Sequence, residues 1–193
     1  MSINILETVQ QNLGYLALQK IDPNTQQVVE NDKTPNQLHV SQAAIPAVLT
    51  GFYRYVQSDE GAENFLRGNN SSSWLNKIFD KNKIEVVQTI ATYTNQSKLD
   101  PLAEMEVIAN ETVKVVKNIL GADASIKEVK TYFSGQKNNI LLYLPAVLNI
   151  GELLNDSTLD DKTNKMEGPL SSLMQNIGSA FSKPVSDEET KNL

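Results

Sequence analysis

One short phrase occurs twice in this chain: Ile45-Pro46-Ala47-Val48-Leu49-Thr50-Gly51 returns as Leu144-Pro145-Ala146-Val147-Leu148-Asn149-Ile150-Gly151. Each copy sets a proline inside an apolar stretch whose spacing otherwise reads as helix. A proline in a helix interior supplies no N–H and crowds the carbonyl four residues back, at a cost of roughly 3 kcal/mol. Two such sites with matching neighbours point to a duplicated structural unit. The expected fold is an all-α helical bundle built from two related units with proline-kinked core helices.

The remaining apolar spacing is helical almost throughout. Residues 3 to 20 place Ile5, Leu6, Val9, Leu13, Leu16 and Ala17 on one helical face, and Asp22-Pro23-Asn24 ends that helix. A polar loop follows over 25–33. Ser41 is the N-cap expected for a helix running through the first repeat to about Gln57, and Ser58 caps a short helix through Leu66. A Gly/Asn/Ser loop over 68–73 precedes an apolar turn of Trp74, Leu75, Ile78 and Phe79, then a helix over 84–93. Asp100-Pro101 opens a helix that holds its core spacing from Met105 to Leu120 and closes at Gly121. Ser125 and Glu128 fit a capping box, heading a short helix to Phe133. Beyond Gly135 a long apolar helix should carry the second repeat. This reading divides the chain into a first helical unit over 1–98 and a second over 99–155, packed on the first as one globular domain. A linker over 156–167, an amphipathic helix over 168–182 and a disordered tail over 183–193 complete it.

Composition narrows the function classes. With 193 residues the chain can bury a core without covalent staples, and with no cysteine it can form neither disulfides nor thiolate metal sites nor a cysteine nucleophile. A net charge of -6 and no cluster of Lys and Arg disfavour a nucleic-acid partner. The most apolar run, Ile140 to Leu154, is shorter than the roughly 20 residues that span a bilayer. No secretory signal pattern stands at Met1, so the expected location is cytoplasmic.

The residue types also argue against catalysis. His39 is the single histidine, flanked by Leu38 and Val40 with no nucleophile motif beside it. Pairs such as Asp59-Glu60 and Asp160-Asp161 lack the ligand spacing of a calcium loop, and the glycines form no phosphate cradle. Arg54 and Arg67 are the only arginines, which weakens bidentate recognition of phosphate or carboxylate. Trp74, Phe79 and Tyr93 read as core or as a cavity lining. No catalytic residue, cofactor or metal is expected.

An N-terminal helix ending near Leu13-Gly14, the stretch from Gln42 to Gly51 and the following Asp59-Glu60-Gly61-Ala62 resemble the YidB-like family of bacterial proteins of unknown function. The likeness covers about residues 3–70 and, more faintly, 101–155; the polar insert over 22–35 and the Ser/Asn-rich middle depart from it. The resemblance implies an all-helical fold and brings no assigned activity or site residues.

Two places remain for function. Pro46, Gly51, Pro145 and Gly151 would free helical carbonyls and allow close backbone approach, or simply let two core helices cross. Near the C-terminus, Leu170, Leu173, Met174, Ile177 and Phe181 fall on one helical stripe that has to be buried somewhere. It can dock on its own domain, on a second copy or in another protein's groove. A membrane surface is disfavoured because the opposite face is Ser, Gln and Asn. The leading expectation is a non-catalytic interaction or scaffold protein with an unknown protein partner or self-association. The alternative is a small-molecule or lipid-binding protein with a cavity between the two proline helices.

Overall fold

The computed structural model describes residues 3–22, 40–68, 73–95, 99–156 and 159. These are helical and contain no β-strand: α1 (Ile5–Asn12), α2 (Val40–Tyr55), α3 (Asp59–Arg67), α4 (Trp74–Phe79), α5 (Lys83–Thr94), α6 (Leu99–Leu120), α7 (Ile126–Leu141) and α8 (Ile150–Leu153). Single 3-10 turns lie at Asp80–Asn82 and Ala146–Leu148.

The first repeat forms the central helix. Every residue of α2 from Val40 to Phe52 is buried, so this stretch of the helix has no solvent face, and α2 packs against α1, α4, α5, α6 and α7. A helix that is apolar on nearly every side belongs in a core; here Ser41, Gln42 and Thr50 are the buried polar exceptions, and burial on all sides offsets the cost of Pro46. Thr50 Oγ1 donates to the Pro46 carbonyl at 2.7 Å. The backbone at Gly51 passes close to α4, since a Cβ there would lie 3.0 Å from Ile78 Cδ1 and Phe79 Cε1. Ser41 falls inside α2, which begins at Val40, rather than capping it.

Around α2 the large side chains interlock. Phe52 meets Phe65 edge-on at 5.7 Å and stacks on Phe133 at 6.1 Å, with Trp74 5.7 Å away. These four rings join α2, α3, α4 and α7 at fully buried positions. Ser58 caps α3 through the Gly61 N–H, and Ser125 and Glu128 form the capping box of α7.

The N-terminal helix stops at Asn12, not near residue 20, because Gly14 turns left-handed at φ +69°. There the Tyr15 N–H donates to the Gln10 carbonyl at 3.1 Å and the Gly14 N–H to the Gln11 carbonyl at 3.0 Å, a Schellman closure. Next, α7 does not break at Gly135; it runs unbroken to Leu141.

The second repeat does not form the expected helix: of its residues only Ile150 and Gly151 enter an α-helix, the short α8. Pro145 is extended (φ −64°, ψ 125°), Ala146–Leu148 form a 3-10 turn and Asn149 is left-handed at φ 47°. A kinked core helix at Pro145 is therefore absent, and Gly151 sits buried in the four-residue α8. The physical reason is local. Proline disfavours helical backbone at the residue before it and cannot bond the carbonyl four residues back. In addition, the Leu142 carbonyl is taken by the Ile21 N–H at 3.0 Å, and Asn149 accepts the left-handed turn at small cost.

Candidate functional site

The turn that replaces the expected helix shapes a surface cleft. α5 buries Val86, Val87, Ile90, Ala91 and Thr94 against the core. Its opposite face, repeating at three- and four-residue steps, carries Ile84, Glu85, Gln88, Thr89 and Thr92. With Lys81, Tyr93, Val147 and Leu148 these side chains line an open cleft of about 650 Å³. Leu148 is its buried floor, whereas Ile84 and Val147 stand at its rims, 71% and 63% exposed. Val147 points outward because the 3-10 turn between Pro145 and Asn149 buries Leu144, Leu148 and Ile150 and leaves the residue between them to solvent.

A second cleft of about 270 Å³ adjoins the first at Lys81 and is lined by polar residues such as Arg54, Asn82 and Asn155 together with apolar Ile78, Phe79, Leu153 and Leu154. It is braced by Asn82 Nδ2 donating to the Leu153 carbonyl and by an Arg54–Asp156 ion pair at 3.9 Å. Tyr93 stands at the cleft wall, where burial pushes its hydroxyl above its ordinary ionisation range. Among the described residues no group of three or more His, Asp or Glu could hold a metal ion. What the cleft offers is apolar contact from Ile84, Val147 and Leu148, edged by the amide and hydroxyls of Gln88, Thr89 and Thr92 and by one charge of each sign, Lys81 and Glu85.

Of the residues singled out in the sequence, Pro46 and Gly51 lie in the core, away from the cleft. Pro145 shapes the cleft rim without lining it, and Gly151 is buried in α8. The cavity anticipated between two proline helices has no second wall, because only one of the two is a helix. Trp74 and Phe79 are core, and Tyr93 reaches the cleft. His39 and the stripe of Leu170, Leu173, Met174, Ile177 and Phe181 lie outside the described residues.

Comparison with protein families, curated proteins and solved structures gives no match. Sequence reasoning missed Ile84 and Val147, although one signal was present: Ile84 lies off the buried α5 stripe of Val86, Val87 and Ile90. No helix among the described residues is long and apolar enough to cross a membrane.

Proposed function

We propose that this chain is a non-catalytic helical interaction protein, cytoplasmic and akin to the YidB-like family, whose docking surface is the α5 cleft. The observation that carries the reading is the pairing of Ile84 and Val147: two exposed branched apolar side chains, far apart in sequence, frame one cleft. Single exposed apolar residues are ordinary, but convergence on a concave site is what a helix-in-groove partner needs. A partner presenting apolar residues at three- and four-residue steps would set them between Ile84 and Val147 and its polar edge on Gln88 and Thr92. The proposed origin of this architecture remains two related units, the second having lost its helix to the cleft-forming turn.

The test compares the full chain with Ile84→Glu/Val147→Asp as immobilised baits against bacterial lysate, after circular dichroism has shown both to be folded. A partner held by the parent and lost from the variant is the expected result; equal capture by both removes the cleft from the reading. A second reading, small-molecule or lipid binding, draws on the cleft volume of about 650 Å³, within the roughly 300–1,000 Å³ of ligand pockets. Native mass spectrometry of the purified chain decides it: a co-purifying ligand displaced by Val147→Asp supports this reading, and a mass equal to the bare chain opposes it.

A further inference from the structure

We propose that the partner docking at the α5 cleft is a second copy of this chain, joined about a two-fold axis that passes beside Ile84 and brings Lys81 of each copy against Glu85 of the other. The proposal rests on the cleft being the docking surface and names its occupant. Its basis is the charge pattern of one face. Lys81, Ile84, Glu85, Gln88 and Thr92 recur at three- and four-residue steps and line the cleft together, Lys81 from the 3-10 turn that leads into α5. Lys81 and Glu85 are the two charges of the cleft lining; both are exposed, and neither is ion-paired among the described residues. Their order also disfavours pairing with each other, because an i, i+4 pair is better with the acid on the N-terminal side. The neighbouring charges stand apart from this face: Lys83 does not line the cleft, and Asp80 lines the second one.

A face with one free charge of each sign and an exposed branched side chain between them is matched by itself. In a two-fold interface the same patch of both subunits meets, so that residue i contacts j while j contacts i. Lys81 and Glu85 lie about 6 Å apart along the helix axis, so with the two α5 helices antiparallel and the two-fold midway between these positions, both Lys–Glu pairs form at once. Ile84 is about 1.5 Å along the axis from that midpoint, which sets the Ile84 side chains of the two copies against each other. The second copy thus supplies the apolar group that the gap between Ile84 and Val147 lacks. Parallel helices would instead oppose Lys81 to Lys81 and Glu85 to Glu85, a like-charge arrangement that costs affinity. Burial of Ile84 provides the attraction, while exposed ion pairs fix register more than they add strength. A contact centred on one helical turn is small, so the dimer is in ready exchange with the monomer.

Sedimentation equilibrium of the full chain over a concentration series measures the dimer, in the parent and in Lys81→Glu, Glu85→Lys and the double reversal. Both positions are exposed, so the fold is kept. The expected result is a concentration-dependent dimer in the parent and dissociation raised about tenfold or more in each single variant, where two like-charge contacts replace two opposite ones. The dimer should return in the double reversal and in an equimolar mixture of the two single variants. A parent that stays monomeric up to about 1 mM overturns the proposal. A dimer that the single reversals leave unchanged, or that the mixture fails to restore, overturns it as well. A monomeric parent removes the second copy as occupant and leaves the bait experiment standing, whereas a bait that captures nothing leaves this equilibrium standing.

Discussion

Two buried glutamines fasten the N-terminal segment to the bundle, each by using both ends of its amide. Gln136 on α7 is 1% exposed; its Oε1 accepts the Ile5 N–H at 3.2 Å and its Nε2 donates to the Ile3 carbonyl at 2.9 Å. Gln42 on α2 treats the backbone of Gln19 in the same way, accepting its N–H at 2.8 Å and donating to its carbonyl at 2.9 Å. In Gln136→Leu the Ile5 N–H is left buried without a partner, and an unsatisfied buried donor costs about 1–3 kcal/mol. Urea denaturation should show that loss, with amide exchange quickened most in α1. The glycines give a sharper contrast. At Gly61 a Cβ would lie 2.0 Å from the Tyr55 carbonyl oxygen, whereas at Gly135, exposed in mid-α7, it would meet nothing within 4 Å. Gly135→Ala should therefore raise stability by about 0.5–1 kcal/mol through helix propensity and a less flexible unfolded chain. Gly61→Ala should lower stability by at least about 1–3 kcal/mol, the usual range for overpacking, and similar melting temperatures for the two variants would refute the contrast.

At the scale of the element, the capping box of α7 is the part of the chain most directly written in sequence. Its two members bond each other's backbone: the Ser125 N–H donates to Glu128 Oε2 at 2.8 Å, and the Glu128 N–H donates to Ser125 Oγ at 3.3 Å. The Ser125 backbone N–H, and then its hydroxyl, hold the Glu128 carboxyl below its ordinary pKa. A carboxyl with a depressed folded-state pKa adds stability that is present above its unfolded value of about 4.3 and is lost as pH falls through the folded value. The parent should accordingly be more stable than Glu128→Gln near neutral pH, and the two thermal midpoints should converge in acid; a gap that stays constant with pH would separate the box from this titration. Such local chemistry is legible because both partners lie within one helical turn. The same holds for the Ser58 cap and the Gly121 stop, whose N–H bonds the Lys117 carbonyl at 2.9 Å. The second repeat was illegible for the opposite reason. Pro46 and Pro145 have nearly identical neighbours, but α2 is surrounded on all sides while the Leu142 carbonyl is claimed by Ile21, more than a hundred residues away.

Across the whole molecule, the candidate site was the least legible part, because the cleft is made by α5 meeting a turn that periodicity reads as helix. Apolar spacing reports which residues seek the interior, and it placed Ile5, Val9, Met105 and Val116 correctly in the core. It says nothing of where two elements leave a gap. Molecule-wide packing does appear in the tyrosines. Burial first, with the charge of Glu104 second, pushes Tyr15 up to about 12, and burial does the same for Tyr132; Tyr53, Tyr93 and Tyr143 are also raised, burial leading in each. A raised phenol keeps its proton in the folded state after the unfolded state has lost it. Its contribution is fully present below an unfolded pKa of about 10 and is lost as pH rises through the folded value near 12. Stability should thus fall between these limits, with phenolate absorbance rising together with unfolding. Tyr132 isolates the effect, since its hydroxyl is buried without a hydrogen-bond partner. Removing a buried unpaired polar group spares its desolvation. Tyr132→Phe should hence equal or exceed the parent in stability at neutral pH and lose less of it toward pH 12, as followed by urea midpoints across the alkaline range. A loss at neutral pH would mean that the hydroxyl has a partner after all, and an unchanged alkaline slope would move the titration to the other tyrosines.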